Sequence, residues 1–323
     1  MSLIPQQLAE VIDRAMDFTV VPGFSAIGYR VRRRLFDWQA PDLTGKSVMI
    51  TGSNSGLGKA AALESARCGA IVHMVCRNPQ KGQAARDEIV DLTGADVRLH
   101  ICDLSDLASV REFTSDFLAS AAPLDVLINN AGVMPEERQH TDDGFELTFA
   151  TNVLGLFLLT EELSIRIGES EDGRVITMSS GGMYSSGFNL NDPQLEDEEY
   201  KPTTFYAHTK RAEVMLTDEW NERAGENGPS YFSMHPGWAV TPGMSAALPG
   251  FNQVLGPVLR DTAEGADTAV WLCAAGPEEA SGGSFFQDRK VRSKHRIPRT
   301  RDSAEDRRRL YELCAMLCVT HPD

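Results

Sequence analysis

The sequence lacks the cysteine and histidine patterns that hold metal-bound or disulfide-linked domains together. It has six cysteines in 323 residues, with no CxxC pair and no Cys/His cluster at zinc spacing, so no metal site is expected. Cys314 and Cys318 stand one helical turn apart, and burial as small hydrophobes is favoured over metal binding there. We predict that all six are reduced thiols of a cytoplasmic protein.

Long apolar runs and a secretory signal are also missing. The most apolar early stretch, "FTVVPGFSAIGY", is short and is interrupted by Pro22 and Gly23, so it is not expected to cross a bilayer as one helix. The residues before it predict an amphipathic helix, with apolar side chains at helical spacing: Ile4, Leu8, Val11, Ile12 and Met16. We expect this helix to pack on its own domain. Contact with a membrane surface, helped by the basic stretch "YRVRRRLF", is the second choice.

Positive charge is scarce. The chain has 31 Lys and Arg against 46 Asp and Glu, a net charge of −15, so a general affinity for nucleic acid is not expected. Basic residues are concentrated in "YRVRRRLF" near the start and in "DRKVRSKHRIPRTRD" near the end. An apolar content of 42% is enough for a sizeable core. These features are typical of a globular protein.

Short β-rich runs alternate with helical segments from residue 46 onward. This alternation predicts an α/β fold, a doubly wound, mostly parallel sheet with helices on both faces. We expect an N-terminal extension over 1–40, the doubly wound domain over 41–290 and a basic tail over 291–323 whose helix docks on the domain. Seven strands are predicted, in the segments "KSVMITG", "IVHMVCR", "DVRLHICDL", "LDVLINNAG", "GRVITMSS", "PSYFSMHPG" and "SGGSFFQ".

A glycine-rich loop, "TGSNSGLG", lies between the first strand and the first helix. Gly52 permits a tight turn, Gly56 lets the backbone approach a pyrophosphate, and Gly58 allows the helix to pack closely on the strand. The anion then rests on the N-terminal end of the helix. The loop therefore predicts a dinucleotide site, formed by Gly52, Ser53, Asn54, Ser55, Gly56, Leu57 and Gly58.

The end of the second strand indicates which dinucleotide is bound. Loops that prefer NAD carry Asp or Glu about 20 residues after the glycines, whereas this chain has Cys76 followed by Arg77. A carboxylate would repel a 2′-phosphate, and a guanidinium can bind it with parallel hydrogen bonds. We therefore predict NADP(H) over NAD(H), with Ser53 and Asn54 as extra donors. The alternative is that Arg77 is only a solvated strand end.

Tyr206 and Lys210 stand four residues apart on a predicted helix, so their side chains share one face. A free tyrosine has a pKa of about 10, and a neighbouring ammonium is expected to lower that pKa. The pair therefore makes Tyr206 a candidate acid/base group.

Seven motifs in a fixed order resemble those of the short-chain dehydrogenase/reductases, over about residues 46–241. They are "TGSNSGLG", "CDLSD", "NNAG", "ATNVLG", "ITMSS", "YAHTK" and "HPGWAVTPG". Further segments, among them "INNAGVM", "MSSGGM" and "FFQDRK", resemble the retinol dehydrogenase branch of that family nearly end to end. The resemblance implies a Rossmann fold and hydride transfer between a nicotinamide cofactor and a carbonyl or alcohol.

The resemblance also implies roles for individual residues. Asn152, Ser180, Tyr206 and Lys210 match the catalytic set, in which the asparagine holds a water of a proton relay. In that set the tyrosine donates a proton to a carbonyl oxygen as hydride arrives, or accepts one in the reverse direction, and the serine donates a neutral hydrogen bond to the same oxygen. Lys210, with Tyr206, would also contact the nicotinamide ribose. Further cofactor contacts are implied along the chain: Asp103 and Leu104 at the adenine, Asn130, Ala131 and Gly132 beside the fourth strand, and Pro236, Gly237 and Thr241 over the nicotinamide.

Substrate and partners are less defined. The acidic insert between Ser180 and Tyr206 is long for the resembled family, and the apolar, Pro/Gly-rich stretch 241–257 is either a mobile lid over a hydrophobic substrate or a surface loop. Whether the chain forms a homo-oligomer is left open.

The main alternative function is an NADP(H)-binding sensor or scaffold with little turnover. A serine hydrolase built on Ser180 with His208 or His235 is not expected, since no G-x-S-x-G elbow surrounds the serine.

Overall fold

An eight-stranded sheet lies at the centre of the fold. The computed structural model describes residues 5–225, 228–240 and 256–320, and its strands follow the order β3-β2-β1-β4-β5-β6-β7-β8. All neighbours pair in parallel except β7 and β8. The strands are β1 (Ser47–Thr51), β2 (Ile71–Cys76), β3 (Val97–Ile101), β4 (Val126–Asn129), β5 (Arg174–Met178), β6 (Ser230–Met234), β7 (Phe285–Gln287) and β8 (Lys290–Val291).

The predicted α/β class is confirmed, and the strand count differs by one. Seven strands were expected, and the eighth, β8, pairs antiparallel with β7 through Phe286↔Val291 and Gln287↔Lys290. The turn between them holds Asp288 and Arg289 at φ of 54° and 53°, in the left-handed region. Two-residue hairpin turns of this kind usually carry Asn-Gly or Asp-Gly. Asp288-Arg289 is not such a pair, which is why a strand of only two residues was missed.

Helices cover both faces of the sheet. One apolar layer packs α6, α8, α9 and α11 on the sheet, and the other packs α4, α5 and α10. Alternation along a strand separates the layers, as β1 places Met49 in the first and Val48 and Ile50 in the second. The helices are α1 (Gln6–Phe18), α2 (Val20–Phe24), α3 (Ala26–Leu35), α4 (Gly56–Arg67), α5 (Pro79–Thr93), α6 (Leu107–Ala119), α7 (Leu147–Phe149), α8 (Leu156–Ile167), α9 (Pro202–Ala224), α10 (Thr262–Leu272) and α11 (Ala304–Thr320).

The N-terminal helices are joined to the β7–β8 hairpin by buried ion pairs. Arg32 on α3 is fully buried, and its guanidinium lies 2.6 Å from Asp13 on α1 and 2.5 Å from Asp288 in the hairpin turn. Asp288 also pairs with Arg260 at 2.5 Å. A buried charge is tolerated only with a partner of opposite sign. The face of α1 that meets the domain is therefore the one that carries Asp13.

The domain covers the apolar side of α1 only in part, which differs from our expectation, since Ile12 and Met16 are half-buried. Leu8 and Val11, predicted to face the domain, are 49% and 61% exposed, and Phe18 at the helix end is 89% exposed. Ile4 lies outside the described residues. None of the helices in the described ranges has the length and apolar content that a membrane span requires.

The C-terminal helix α11 packs against α8 and α9. Ser303 begins it as predicted, since its hydroxyl accepts a hydrogen bond from the backbone N–H of Asp306 at 3.1 Å. Leu310, Cys314 and Cys318 are buried in the apolar layer on that side of the sheet. The two cysteines one turn apart are therefore core residues of this interface.

Candidate active site

A cavity of about 630 Å³ opens at the carboxyl ends of β1 and β4, where the strand order reverses. This is where doubly wound sheets bind ligands. It brings together most of the predicted site residues: Gly52, Asn54, Ser55, Gly56, Leu57, Gly58, Arg77, Asp103, Leu104, Asn130, Ala131, Gly132, Ser180, Tyr206, Lys210, Pro236 and Gly237. Ser53 and Asn152 do not line it. Thr241 lies outside the described residues, as does most of the stretch 241–257.

A larger cleft of about 1080 Å³ lies between α1 and the β7–β8 hairpin. Charged side chains of both signs line it, among them Glu10, Asp17, Lys290 and Arg296. It contains none of the predicted site residues. The smaller cavity is the candidate active site because the groups that carry chemistry converge there.

The glycine loop has the shape of a pyrophosphate cradle. Gly52 and Gly56 have φ of 65° and 56°, a conformation that disfavours other residues. A side chain at Gly58 would place its Cβ 2.4 Å from Asn130 Nδ2 and 2.5 Å from the Gly52 carbonyl oxygen. The N-cap residue of α4, Ser55, makes no side-chain capping bond, so backbone N–H groups of the first turn are available to an anion. The residues present fit a bound dinucleotide.

Hydrogen bonds hold the loop after β4 against β1. Asn130 Nδ2 donates to the Thr51 carbonyl at 2.7 Å, and the Thr51 hydroxyl accepts from the backbone N–H groups of Asn130 and Ala131, both at 3.0 Å. Thr51 precedes the glycine loop directly. The two loops on either side of the switch point are therefore held as one unit, which fixes the shape of the cavity.

Ser53 and Arg77 differ in how far their side chains are exposed to the cavity. The Ser53 side chain is fully buried with its Oγ 3.5 Å from Cys76 Sγ, so its hydroxyl does not face the cavity as a donor. The Arg77 side chain is 62% exposed at the cavity's edge, and its Nε lies 3.7 Å from Asp103 Oδ2. Arg77 is thus accessible to an anionic group, while Ser53 supports the loop from beneath.

Asn152 lies behind the cavity, in a π-helical turn (Ala150–Gly155) between α7 and α8. Such turns recur at functional sites. Its Oδ1 accepts from Val133 N at 2.8 Å, and its Nδ2 donates to Thr209 Oγ1 at 3.0 Å. A Cβ at Gly132 would lie 3.3 Å from Lys210 Nζ and 3.4 Å from Asn152 Oδ1. Asn152 and Lys210 therefore both come close to the side of Gly132 where a Cβ would lie.

Tyr206, Lys210 and Ser180 meet at the end of β5. Lys210 Nζ lies 5.4 Å from the centre of the Tyr206 ring and donates to the Met178 carbonyl at 3.1 Å. The Ser180 hydroxyl accepts from Gly182 N at 3.2 Å and interacts with the Tyr206 phenol. Ser179, the neighbouring serine, donates instead to the Lys210 carbonyl at 2.8 Å. The serine predicted as catalytic is thus the one beside the phenol.

The electrostatics around Tyr206 differ from the expectation in one respect. Burial raises the pKa of the phenol above its ordinary value, Lys210 lowers it as predicted, and Glu213 raises it again. The net direction is upward, because burial and the glutamate together outweigh the lysine. The phenol is therefore protonated at neutral pH, which is the state that a proton donor needs.

Two residues of this region were missed by the sequence analysis as parts of the site. Glu213 is fully buried on α9, and its Oε1 accepts a hydrogen bond from Lys210 Nζ at 2.7 Å. Burial raises its pKa to about 7, although Lys210 opposes the shift. His235, after β6, lines the cavity, and burial lowers its pKa to about 3. The position of Glu213, three residues after Lys210, was the available signal for it.

Neither histidine activates Ser180 as a nucleophile. The ring nitrogens of His208 lie 3.3 Å and 3.2 Å from the carbonyls of Gly187 and Pro193. His235 Nδ1 accepts from Gly237 N at 3.3 Å. The serine–base hydrogen bond that a hydrolase requires is not made by either of these described histidines, in line with the sequence-based exclusion.

Comparisons with known proteins agree with this geometry. The family model for short chain dehydrogenase matches residues 46–249. Dehydrogenase/reductase SDR family member 12 from Bos taurus is 44% identical over 273 residues, 83% of this chain and 85% of that protein. Retinol dehydrogenase 12 from Bos taurus is 39% identical over 251 residues, 77% and 79% of the two chains. A crystal structure of a putative uncharacterized protein from Mycobacterium Paratuberculosis superposes with a TM-score of 0.70 at 31% identity, covering 87% of this chain and 96% of that one.

Proposed function

The chain belongs to the short chain dehydrogenase family and is therefore an oxidoreductase, and from this premise we propose that it transfers hydride between NADP(H) and a carbonyl or alcohol. The observation that carries the proposal is the meeting of Tyr206, Lys210 and Ser180 in the cavity that also contains the glycine loop. A pure binding site needs no proton donor, so this convergence favours catalysis over the sensor or scaffold alternative.

Each side chain of the site has its own role in carbonyl reduction. A bound nicotinamide supplies the hydride. Tyr206 donates its phenolic proton to the substrate oxygen, and Ser180 donates a hydrogen bond to the same oxygen as charge develops on it. Lys210 stabilises the phenolate that remains and contacts the nicotinamide ribose. Asn152, beside Gly132 and Lys210, holds a water that returns a proton. In alcohol oxidation the same groups act in reverse.

The preference for NADP(H) rests on the edge of the cavity next to β2. Arg77 stands there with an exposed guanidinium, and the position that bears a carboxylate in NAD-preferring loops is the buried thiol of Cys76. A 2′-phosphate therefore meets a cation here, and the end of β2 itself carries no carboxylate to repel it. Asp103, 3.7 Å from Arg77, is close enough to orient the guanidinium.

We propose a hydrophobic carbonyl or alcohol as the substrate. Apolar side chains line the cavity near the catalytic groups, among them Val133, Met134 and Trp238. The relatives include retinol dehydrogenase 12, whose name gives an apolar alcohol as its substrate. Retinoid-like and lipid-derived aldehydes are therefore the first compounds to screen.

The proposal is tested by replacing Tyr206 with Phe. We expect wild-type protein to oxidise NADPH in the presence of an apolar aldehyde from a screen graded by size. Tyr206→Phe should lose about 10²-fold or more of kcat/KM while NADPH binding, measured by calorimetry, is retained. Tyr184→Phe is the matched control, since the Tyr184 hydroxyl donates to the Ser293 carbonyl away from the cavity.

Two outcomes would count against the proposed function. Equal rates in Tyr206→Phe and wild type would remove the tyrosine from the reaction. NADPH binding by wild type without turnover of any compound in the panel would favour the sensor alternative.

Contact with an anionic membrane surface is a further part of the proposal. Apolar side chains of α1 to α3 are exposed in one N-terminal region: Leu8, Val11, Phe18, Val20, Val21 and Ile27. Exposed arginines at 14, 33 and 34 accompany them. Apolar side chains next to basic ones suit the boundary of a bilayer with acidic headgroups. A cytoplasmic protein that attaches peripherally to a membrane fits this surface.

A further inference from the structure

Glu213 is an unusual residue to find beneath a catalytic lysine. It lies one turn after Lys210 on α9, is fully buried, and pairs with the Lys210 ammonium through Oε1 at 2.7 Å. Its second oxygen, Oε2, is buried and has no hydrogen-bond partner among the described residues. A carboxylate in such a place costs free energy that an apolar residue would not. Local departures of this kind are concentrated at functional sites.

We propose that Glu213 is a positioning residue that shares the Lys210 ammonium with Tyr206 and so keeps the phenol protonated, ready to donate. The inference rests on the proposed function. A lysine whose charge is compensated by a carboxylate stabilises a neighbouring phenolate less than a free ammonium does. Glu213 thereby favours the protonated form of Tyr206, which is the form required for carbonyl reduction.

The Lys210 ammonium has three neighbours and carries a single positive charge. Its Nζ donates to Glu213 Oε1 and to the Met178 carbonyl, and the Tyr206 ring centre lies 5.4 Å away. The Met178 carbonyl is neutral and fixes the direction of the ammonium. The two acidic groups therefore compete for the same cation, and each one's ionisation makes that of the other less favourable.

The groups that face this cluster from other elements add no further charge near neutral pH. The π-helical turn presents the Asn152 amide, and the segment after β5 presents the Ser180 hydroxyl. His235, after β6, is kept neutral by burial, which lowers its pKa to about 3. The charges that bear on the Tyr206 phenol are those of Lys210 and Glu213. Burial raises the pKa of Glu213 to about 7. The carboxylate that competes with Tyr206 for the Lys210 ammonium is therefore gained or lost near physiological pH.

The acidity of the Tyr206 phenol therefore depends on the protonation state of Glu213, and so on pH. Above neutral pH the Glu213 carboxylate is ionised, the ammonium is compensated, and Tyr206 holds its proton. Below neutral pH Glu213 is protonated, Lys210 acts on Tyr206 alone, and the phenol becomes more acidic. Removing the carboxylate should therefore make Tyr206 more acidic at every pH above 7 and favour its role as a base in alcohol oxidation.

The first test uses cofactor-free protein and does not depend on turnover. We would label the tyrosines with 3-fluorotyrosine, assign the Tyr206 ¹⁹F resonance by its loss in Tyr206→Phe, and titrate it in wild type and in Glu213→Gln. The amide of glutamine can still accept from Lys210 but carries no charge. We expect the Tyr206 midpoint to fall by about one pH unit in Glu213→Gln. Glu219→Gln, also on α9 and paired with Arg223, should leave it unchanged.

The wild-type titration provides a second readout, which needs no folded Glu213 variant. The Tyr206 resonance should show an additional inflection near neutral pH, as Glu213 titrates beside Lys210. An unchanged midpoint in Glu213→Gln would overturn the inference, as would a wild-type titration curve with no inflection near neutral pH.

The second test separates this inference from the proposed function. For alcohol oxidation, which needs the ionised phenol, the rising limb of kcat/KM against pH should move about one unit lower in Glu213→Gln. A shifted ¹⁹F midpoint in a protein without turnover would refute the function and leave the charge sharing intact. Turnover with an unshifted limb and an unshifted midpoint would refute the sharing and leave the function intact.

Discussion

At the scale of residues, the proposed cofactor preference depends on Arg77 and the proposed proton donation depends on Tyr206. The glycine loop and the Tyr206–Lys210 pair were predictable because their geometry is local: a strand, a tight turn and one helical face place these side chains. The raised pKa of Glu213 and the buried position of the Ser53 hydroxyl were not predictable, because both depend on tertiary burial. The Ser53 hydroxyl lies under the loop beside Cys76, and Glu213 has its raised pKa only because α9 is covered by other elements.

Arg77→Gln should change the cofactor preference. The exposed guanidinium at the end of β2 is the cation that the proposal assigns to the 2′-phosphate, and a charged hydrogen bond contributes enough for a tenfold change in affinity. We expect the dissociation constant of NADPH to rise by about tenfold while that of NADH changes little.

Arg98→Gln is the control for this measurement, because Arg98 is another arginine near the same sheet edge and pairs with Asp96 at 2.6 Å. Equal losses of NADPH and NADH affinity in Arg77→Gln would show that the arginine does not read the 2′-phosphate.

At the scale of elements, the β7–β8 hairpin connects the N-terminal helices to the loop beside the active site. Asp288 in its turn binds Arg32 of α3 and Arg260, and Arg260 donates to the Pro236 carbonyl at 3.1 Å. Strand β7 was predicted from the sequence, whereas β8 and this network were not. Pairings across more than 200 residues, such as Arg32 with Asp288, leave no local pattern to detect.

Asp288→Asn should destabilise the protein. Asparagine tolerates the left-handed backbone of the turn, so the loss of stability in this variant reports only the removal of the negative charge. Removing one partner of a buried ion pair costs about 3–5 kcal/mol. Burial alone would raise the pKa of Asp288, but Arg260 and Arg32 together lower it below the ordinary value. A lowered pKa stabilises the fold above the unfolded-state pKa of about 3.9.

The deficit of Asp288→Asn, measured by urea unfolding, is therefore expected to be complete at pH 7 and to shrink below about pH 4. Asp96→Asn, in an exposed pair with Arg98, should change the free energy of unfolding by less than about 0.5 kcal/mol. A deficit equally small in Asp288→Asn would contradict the structural role of the hairpin.

At the scale of the whole molecule, the fold class and the family followed from the sequence, and both predictions are confirmed. The alternation of strands and helices is a global pattern that local errors do not erase. The orientation of α1 did not follow from it. An amphipathic pattern shows which side of a helix is apolar, and the buried arginine Arg32, which the pattern does not include, determined which side meets the domain.

We expect the exposed apolar side chains of the N-terminal helices to bind vesicles that contain phosphatidylserine. We expect wild-type protein to co-sediment with them, more weakly at high salt, because arginines contribute. Replacing Val11 and Phe18 together with Ser should reduce binding by about tenfold or more, since burying such side chains contributes about 1.5–3 kcal/mol each.

Ile165→Ser serves as the matched control, because Ile165 is an apolar residue on α8 that is 69% exposed and far from this surface in the sequence. Wild-type protein that stays in the supernatant at low salt would refute the membrane contact.

Hydride transfer itself can be followed with NADPH that carries deuterium at both positions of nicotinamide C4. With an aldehyde substrate from the screen, the account predicts that mass spectrometry finds one deuterium on the carbinol carbon of the alcohol formed by wild-type protein. An alcohol product without deuterium would mean that its hydrogen does not come from the nicotinamide, and would contradict the account.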